Sequence, residues 1–145
     1  MLASTVMADD LTVEMDGTGD FDSIQAAVDA ASDGDVIHVG PGIWKSDSAP
    51  GIPVVDVFEK SVSLQSVAGH ELTFIDGEGE RPCLFILNED TKQTAMTVDG
   101  FTFINGVSDS NWKIIKDRTR GYSIQPFHTN IINHKCRNRV CVCHN

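Results

Sequence analysis

The chain has 145 residues, of which 41% are hydrophobic and 22% charged, and its formal net charge is −10 at pH 7. This composition supports a packed core and is not that of a disordered chain. The sequence contains no run of about 18 apolar residues, which excludes an ordinary membrane-spanning helix. The negative charge argues against nucleic acid as a partner.

Charge is distributed unevenly along the chain. Residues 1–107 contain 19 acidic and 4 basic side chains, whereas residues 108–145 contain 2 acidic and 7 basic ones. Eleven of the 12 glycines also precede Val107. Such an abrupt change marks a boundary, so we divide the chain into an N-terminal segment 1–10, a main region 11–107 and a tail 108–145.

The N-terminal segment ends in small residues followed by acids. Val6 and Ala8 occupy the −3 and −1 positions before Asp9, as in the cleavage region of a secretory signal. We therefore interpret residues 1–10 as the remnant of a signal peptide or a disordered N-terminus. This interpretation predicts a secreted, periplasmic or cell-surface protein.

One amphipathic helix is predicted near the start of the main region. Asp22 with Gln25 fits a capping box, in which the Asp22 side chain accepts a hydrogen bond from a free N–H of the first turn. Gly34 has the conformational freedom at which a helix can stop. The pattern predicts a helix over 22–32. Its apolar stripe consists of Ile24, Ala27, Val28 and Ala31.

Short strands are predicted after Gly34. Each is a few residues long, is rich in β-branched or aromatic residues, and is bounded by Gly, Pro, Asn or Asp. No second helical pattern follows, so folds of alternating strands and helices are excluded, and an antiparallel sandwich or a parallel β-helix remains. The predicted strands cover 36–39, 54–58, 62–67, 72–75, 83–87 and 95–104.

An internal repeat favours the parallel β-helix. The segment 73–77 recurs as 96–100, at an offset of 23 residues, and a period in the twenties is typical of a solenoid coil. This alignment predicts that Ile75 stacks on Val98 in the core. The Asp-Gly pairs that end both copies turn the chain out of its strand. These pairs are Asp76-Gly77 and Asp99-Gly100.

Three segments of the main region form a longer motif. They are 16–31 (DGTGDFDSIQAAVDAA), 34–39 (GDVIHV) and the turn Pro41-Gly42 with the aromatic Trp44 close behind it. Together they resemble the start of right-handed parallel β-helix proteins of the pectin lyase-like superfamily, among them pectin methylesterases. The resemblance covers about residues 11–107. It implies an all-β, right-handed parallel β-helix, an incomplete solenoid whose N-terminal end is capped by the helix.

Candidate catalytic groups are few. In the pectin esterases and pectate lyases that the resemblance suggests, the catalytic residues lie on later coils, so none carries over to this chain. Near the repeat, several carboxylates and one arginine are the residue types that acid–base chemistry on a uronide needs. We interpret them as turn and surface residues and predict no catalytic site. They are Asp76, Glu78, Glu80, Asp99 and Arg81.

The main region also contains candidate metal ligands. Asp76 with Glu78, or the acidic loop 16–20, offers carboxylate oxygens that suit calcium. Neither has the spacing of an EF-hand, so we predict no metal site and no cofactor. His38 is isolated in a predicted strand and is expected at the edge of the core or at the surface, not as a base. Cys83 is expected to be a small buried hydrophobe.

The tail has two interpretations. It lacks Asp-Gly turns and clean strand patterns, so it is either a C-terminal cap or the product of a truncation or frameshift, and the reversal of charge favours the second. Its cysteines and histidines could bind zinc, form disulfides or remain thiols, and their spacing matches no common zinc pattern. They are His134, Cys136, Cys141, Cys143 and His144.

The sequence therefore predicts the non-catalytic N-terminal portion of a secreted or cell-surface parallel β-helix protein that is structural or binds polysaccharide. The expected partners are an acidic or neutral polysaccharide and the remainder of a longer β-helix chain. One alternative is a fragment of a pectin esterase or pectate lyase whose catalytic coils are missing. Another is a small metal-binding protein acting through the tail. The fold does not decide between these functions.

Overall fold

A computed structural model describes residues 7–87, 96–107, 132–136 and 139–143. The described residues form one helix and short strands, joined by turns. In chain order the elements are β1 (Asp10–Val13), α1 (Ile24–Ala30), β2 (Val36–Val39), β3 (Gly42–Trp44), β4 (Val55–Phe58), β5 (Ser63–Ser66), β6 (Thr73–Asp76), β7 (Leu84–Leu87), β8 (Thr97–Asp99), β9 (Thr102–Ile104), β10 (Ile132–Cys136) and β11 (Arg139–Cys143).

The strands stack into three sheets. Sheet A has the order β1-β2-β5-β8, sheet B the order β3-β6-β9, and sheet C contains β4 and β7 followed by the two tail strands. All pairs between β1 and β9 are parallel. Parallel strands that return to the same sheet once per turn define a β-solenoid. The prediction of an all-β solenoid with one short helix is confirmed, with about three turns.

The register differs from the predicted repeat. Residues paired between the parallel strands β1 to β9 are 26 to 34 positions apart along the chain, as in Asp10 with Val36 and Ser63 with Thr97. Ile75 lies beside Phe103 in sheet B, whereas Val98 lies beside Leu64 in sheet A. The prediction that Ile75 stacks on Val98 is therefore wrong. The two Asp-Gly pairs look alike because each ends a strand, but the strands belong to different sheets.

Two strands of the main region are absent from the sequence prediction. β1 begins at Asp10, the last position assigned to the N-terminal segment, and β3 begins at Gly42 in what looked like a turn. The predicted strand 95–104 is interrupted after Asp99, where the chain bends from sheet A into sheet B. Asp10 was assigned to the N-terminal segment, and Gly42 follows Pro41 in a turn signal, so neither stretch was recognised as a strand.

The core lies between the three sheets and is built from columns of stacked apolar side chains. In each column, residues in register from successive turns are buried, at 8% exposure or less. Burial of one such side chain stabilises the fold by about 1.5–3 kcal/mol. The columns are Ile37, Leu64 and Val98 in sheet A; Trp44, Ile75 and Phe103 in sheet B; and Val55 with Leu84 and Val57 with Ile86 in sheet C.

The helix caps the first turn, but its bounds differ from the prediction of 22–32. Ser23, not Asp22, is the N-cap, because its side chain accepts a hydrogen bond from the backbone N–H of Ala26 at 3.2 Å. The helix buries Ile24, Ala27 and Val28, three residues of the predicted stripe. No helix among the described residues is long and apolar enough to cross a membrane.

The helix ends earlier than expected, and Gly34 is not its stop. Ala31 is the C-cap, with an extended ψ of 147°, and Gly34 lies in the following turn with φ of 98°. The carboxylate of Asp35 shapes this turn by accepting hydrogen bonds from the backbone N–H groups of Ser32 and Asp9, at 2.7 and 2.9 Å. The turn therefore ties β1, the helix and β2 together.

The tail contributes an antiparallel pair of strands to sheet C. β10 pairs with β11, and β11 pairs with β7. The expectation that the tail has no clean strands is therefore wrong. Arg139–Cys143 alternates polar or thiol residues with Val140 and Val142, a period-two pattern that is typical of a strand. Residues 108–131 lie outside the described residues, so the choice between a cap and a truncation product stays a prediction.

Candidate functional site

Charged side chains meet where β6 and β9 end, on adjacent turns of sheet B. Asp76, the last residue of β6, accepts hydrogen bonds from the backbone N–H of Glu78 at 2.8 Å and from the Asn105 side-chain amide at 3.0 Å. Glu78 and Asn105 both have positive φ, 56° and 51°. Asp76 therefore stabilises its own turn and also connects it to the next one.

Lys45, which follows β3, belongs to the same cluster. Its Nζ lies 3.1 Å from Glu78 Oε1 and 3.8 Å from Asp76 Oδ2. The hydrogen bond to Glu78 and the negative charges of Glu78 and Asp76 raise the pKa of Lys45. The ammonium group therefore stays protonated near neutral pH and cannot act as a base or nucleophile there.

Arg81 is the buried member of the cluster, with 4% of its side chain exposed. Its Nη1 donates to the Ser48 carbonyl at 2.7 Å, and its Nη2 lies 3.5 Å from Glu80 Oε2 and 4.0 Å from Glu78 Oε2. Its Nε has no partner among the described residues. A buried charge needs such partners, so Arg81 joins the β3–β4 loop to the turn after β6.

The structure brings together most of the candidate residues suggested by the sequence. Asp76, Glu78, Glu80 and Arg81 lie in this cluster, whereas Asp99 is exposed on β8 and pairs in register with Gln65. Lys45 and Asn105 are further members that the sequence analysis missed. The one available signal was the Asn-Gly pair at 105–106, which resembles the Asp-Gly pair at 76–77.

Gly77 lets the cluster form because of close packing rather than unusual backbone angles. A Cβ at this position would collide with the carbonyl oxygen of Arg81 and lie 2.7 Å from that of Asn105. The Gly77 N–H also donates to the carbonyl of Ile104 at 2.9 Å. A residue with a side chain would therefore push two turns of the solenoid apart.

The other predicted motif residues have structural roles, two of them in β3 and one between β8 and β9. Trp44 is buried, and its Nε1 donates to the Gly40 carbonyl at 3.0 Å. Gly42 has φ of 138°, and a Cβ there would lie 2.6 Å from Met15 Sδ. Gly100 has φ of 79° in the bend between β8 and β9. These residues stabilise turns and contribute no reactive group.

Two cavities flank the cluster. One is a groove of about 330 Å³ between the start of α1 and the β3–β4 loop. It is lined by the apolar residues Ile24, Trp44 and Val54 and by the polar or charged residues Ser23, Gln25, Lys45, Ser46, Asp47 and Ser48. The other is a more open cavity of about 550 Å³ over Lys45, Asp76, Glu78 and Asn105.

In the acidic loop 16–20, which offers carboxylate oxygens to calcium, two aspartates accept hydrogen bonds from threonine hydroxyls. Asp16 accepts from the Thr18 hydroxyl at 2.6 Å and Asp20 from the Thr12 hydroxyl at 2.7 Å, and these bonds lower the pKa of both aspartates. Among the described residues, no three His, Cys, Asp or Glu side chains are grouped as metal ligands would be. His38 faces Asp10 Oδ1 at 3.2 Å on the surface of sheet A.

One of the four cysteines, Cys83, lies in the main region, and the other three lie in the tail strands. Cys83 is buried, as predicted, and its Sγ donates to the Ile104 carbonyl at 3.3 Å. In the tail, His134 lies opposite Cys141, and Cys136 lies opposite Arg139. The side chains of these tail residues lie outside the described part of the structure, as does His144, so the zinc and disulfide alternatives stay predictions.

Comparisons with known proteins do not assign the chain to a family. The sequence matches no family model, and no curated protein is significantly similar to it. The class that the structure defines is therefore a β-solenoid with a helix at its first turn.

Proposed function

We propose that this solenoid is a non-catalytic portion of a secreted or cell-surface protein, a pectin lyase-like right-handed β-helix that serves as a scaffold and binds polysaccharide. The observation that carries the proposal is the internal pairing of the charged cluster. Lys45, Asp76 and Arg81 each bind groups on a different turn of the chain or in a neighbouring loop. Because these three side chains are paired within the protein, their charges stabilise its turns, which supports a structural role for the cluster.

The same pairing disfavours hydrolase or lyase chemistry. A general acid or base must exchange a proton with substrate, and it needs a pKa near the working pH. Asp76 is held by two hydrogen-bond donors, and Lys45 has a raised pKa. The guanidinium of Arg81 is buried and points to the Ser48 carbonyl, so substrate cannot reach it without opening the loop.

The groove beside α1 is the best candidate for a sugar-binding surface. Hydroxyl groups and apolar side chains that line one groove suit a saccharide, which has hydroxyl groups around an apolar ring face. Residues 1–107 carry a net charge of −15, from 19 acidic and 4 basic side chains. This negative field repels polyanions, so a neutral polysaccharide is favoured over an acidic one.

The proposal can be tested by calorimetric titration of the full chain with neutral and with uronic oligosaccharides. Ser48→Trp would fill the groove while leaving the carbonyl that Arg81 binds, and Ser32→Trp is the matched control at an exposed position after the helix. Binding of the neutral sugar that only Ser48→Trp abolishes supports the proposal. Absence of binding, or equal loss in both variants, contradicts the sugar-binding part.

The enzymatic alternative has its own measurement. We expect no methanol release from esterified pectin and no absorbance from unsaturated uronides above the blank. A rate roughly a hundredfold above the blank corresponds to about 2.7 kcal/mol of barrier lowering. A rate of that size, lost in Asp76→Asn, would overturn the non-catalytic assignment.

A further inference from the structure

The side chain of Gln25 replaces a missing strand at the edge of sheet C. One edge of β4 pairs with β7, and the other faces α1. On that second edge, Gln25 Oε1 accepts from the backbone N–H of Asp56 at 2.7 Å, and Gln25 Nε2 donates to the carbonyl of Asp56 at 3.0 Å. Both backbone groups are therefore satisfied as they would be by a neighbouring strand.

The remaining proton of the Gln25 amide binds an acid on the same helix. Gln25 Nε2 donates to Asp29 Oδ1 at 2.8 Å, one helical turn further on. Lys60, two residues after β4, donates to the carbonyls of Val28 and Asp29, at 2.7 Å each. The helix is thus attached to β4 and to the chain after it at both of its ends.

This attachment holds two carboxylates near each other. Asp56 is half-buried on β4, and burial together with the negative charge of Asp29 raises the pKa of Asp56 above its ordinary value of 3.8. On β7 the residue in register with Asp56 is the uncharged Phe85. The nearby cation, Lys60, is bound to helix carbonyls. Among the described residues of the facing helix, Asp29 is the charged group whose field raises the pKa of Asp56.

We propose that the contact between Gln25, Asp29 and Asp56 is a proton-sensitive latch, in which proton uptake by Asp56 removes its repulsion from Asp29 and tightens the docking of α1 on β4. Gln25 also lines the groove, but the latch is tested by titration and melting without any sugar, so its failure can be told apart from failure of the polysaccharide proposal. It stabilises the docking of the helix more below the pKa of Asp56 than above it.

The direction in which pH changes the stability contribution of Asp56 follows from proton linkage. Because the pKa of Asp56 is higher in the folded than in the unfolded chain, the folded state binds more protons between the two values. The contribution of Asp56 to stability is therefore most favourable below 3.8 and decreases as the pH rises through the folded pKa. Above that pKa the repulsion between Asp29 and Asp56 is fully present.

The test follows the Asp56 carboxyl carbon and the Gln25 side-chain amide by NMR during a pH titration of the full chain. We expect Asp56 to titrate above 3.8, and the Gln25 amide to shift with the same midpoint. Asp29→Asn, which keeps an oxygen for the Gln25 amide, should lower the Asp56 midpoint. Asp22→Asn, an exposed acid beside the helix, is the matched control and should leave it unchanged.

Thermal melting gives an independent readout. Asp56→Asn should raise the Tm relative to the natural sequence at pH 7, and the difference should shrink as the pH falls through the Asp56 midpoint. An Asp56 midpoint at or below 3.8 would overturn the latch. An Asp56→Asn variant whose Tm difference is the same at every pH would overturn it as well.

Discussion

The hydroxyl of Ser23 accepts a hydrogen bond from the backbone N–H of Ala26, 3.2 Å away, and this bond sets the start of the helix. Asp22, one residue earlier, is exposed. Because an N-cap side chain satisfies one of the free N–H groups of the first turn, its identity decides which substitution destabilises the helix.

Ser23→Ala should therefore destabilise the protein by about 1 kcal/mol, the typical cost of losing an N-cap. Asp22→Ala is the matched control, and we expect it to stay within about 0.5 kcal/mol of the natural sequence. Urea denaturation of both variants measures the difference. A larger loss for Asp22→Ala than for Ser23→Ala would restore the capping box that the sequence predicted.

Gln25→Ala removes the amide that satisfies the edge of β4. Two backbone groups of Asp56 would lose their partner, and an unmet buried polar group costs about 1–3 kcal/mol. Gln25→Glu keeps an acceptor for the Asp56 N–H but loses the donor and adds a third carboxylate beside Asp29. We expect it to be destabilised most at neutral pH and less in acid, as measured by melting at several pH values. An equal loss of stability at every pH would argue against repulsion between the new carboxylate and Asp29.

The sequence predicts the elements that are formed by residues close together in the chain, but not the contacts between residues about 30 positions apart. The helix and the strands β2, β4, β5, β6 and β7 follow from local periodicity, and each was predicted to within two residues at each end. The alignment of the two Asp-Gly pairs failed because local sequence does not show to which sheet a strand belongs. Lys45 and Asn105 lie 31 and 29 residues from Asp76, and only the register of sheet B brings them to it.

Gly77→Ala tests the packing of the turns. A Cβ would meet the carbonyl oxygens of Arg81 and Asn105, which belong to the backbone and cannot turn away. We expect a loss of roughly 3 kcal/mol or more, at the upper end for overpacking. Gly51→Ala is the control, because Gly51 has φ of 87° but open space around it, and its strain alone costs about 1–2 kcal/mol. Equal Tm shifts in the two variants would contradict the packing argument.

Asp35 should make the fold sensitive to acid. Hydrogen bonds from the backbone N–H groups of Asp9 and Ser32 lower the pKa of this buried aspartate below 3.8. Its stabilising effect is present above pH 3.8 and is lost as the pH falls through the lower folded pKa. Asp35→Asn should cost about 1–3 kcal/mol at neutral pH, because its NH₂ group would face another donor. The cost should fall below pH 3.8, and a pH-independent difference would contradict this account.

The last prediction concerns the tail strands, on which the two interpretations of residues 108–145 differ. β11 covers the edge of β7, whose residues Leu84 and Ile86 are buried in the core. Deletion of residues 132–145 would uncover that edge, and an uncovered strand edge is a template for pairing with other chains. We therefore expect the shortened protein to lose its cooperative melt or to aggregate, as measured by light scattering during heating.

Deletion of residues 144–145 alone is the matched control, because both lie beyond the pairing of β11 with β7. It should leave melting and scattering unchanged. If the longer deletion also leaves melting unchanged, within about 0.5 kcal/mol, the tail strands add nothing to the fold and the truncation interpretation is favoured. If only the longer deletion aggregates, β10 and β11 protect the edge of sheet C, because the two deletions differ in whether β7 keeps its neighbour.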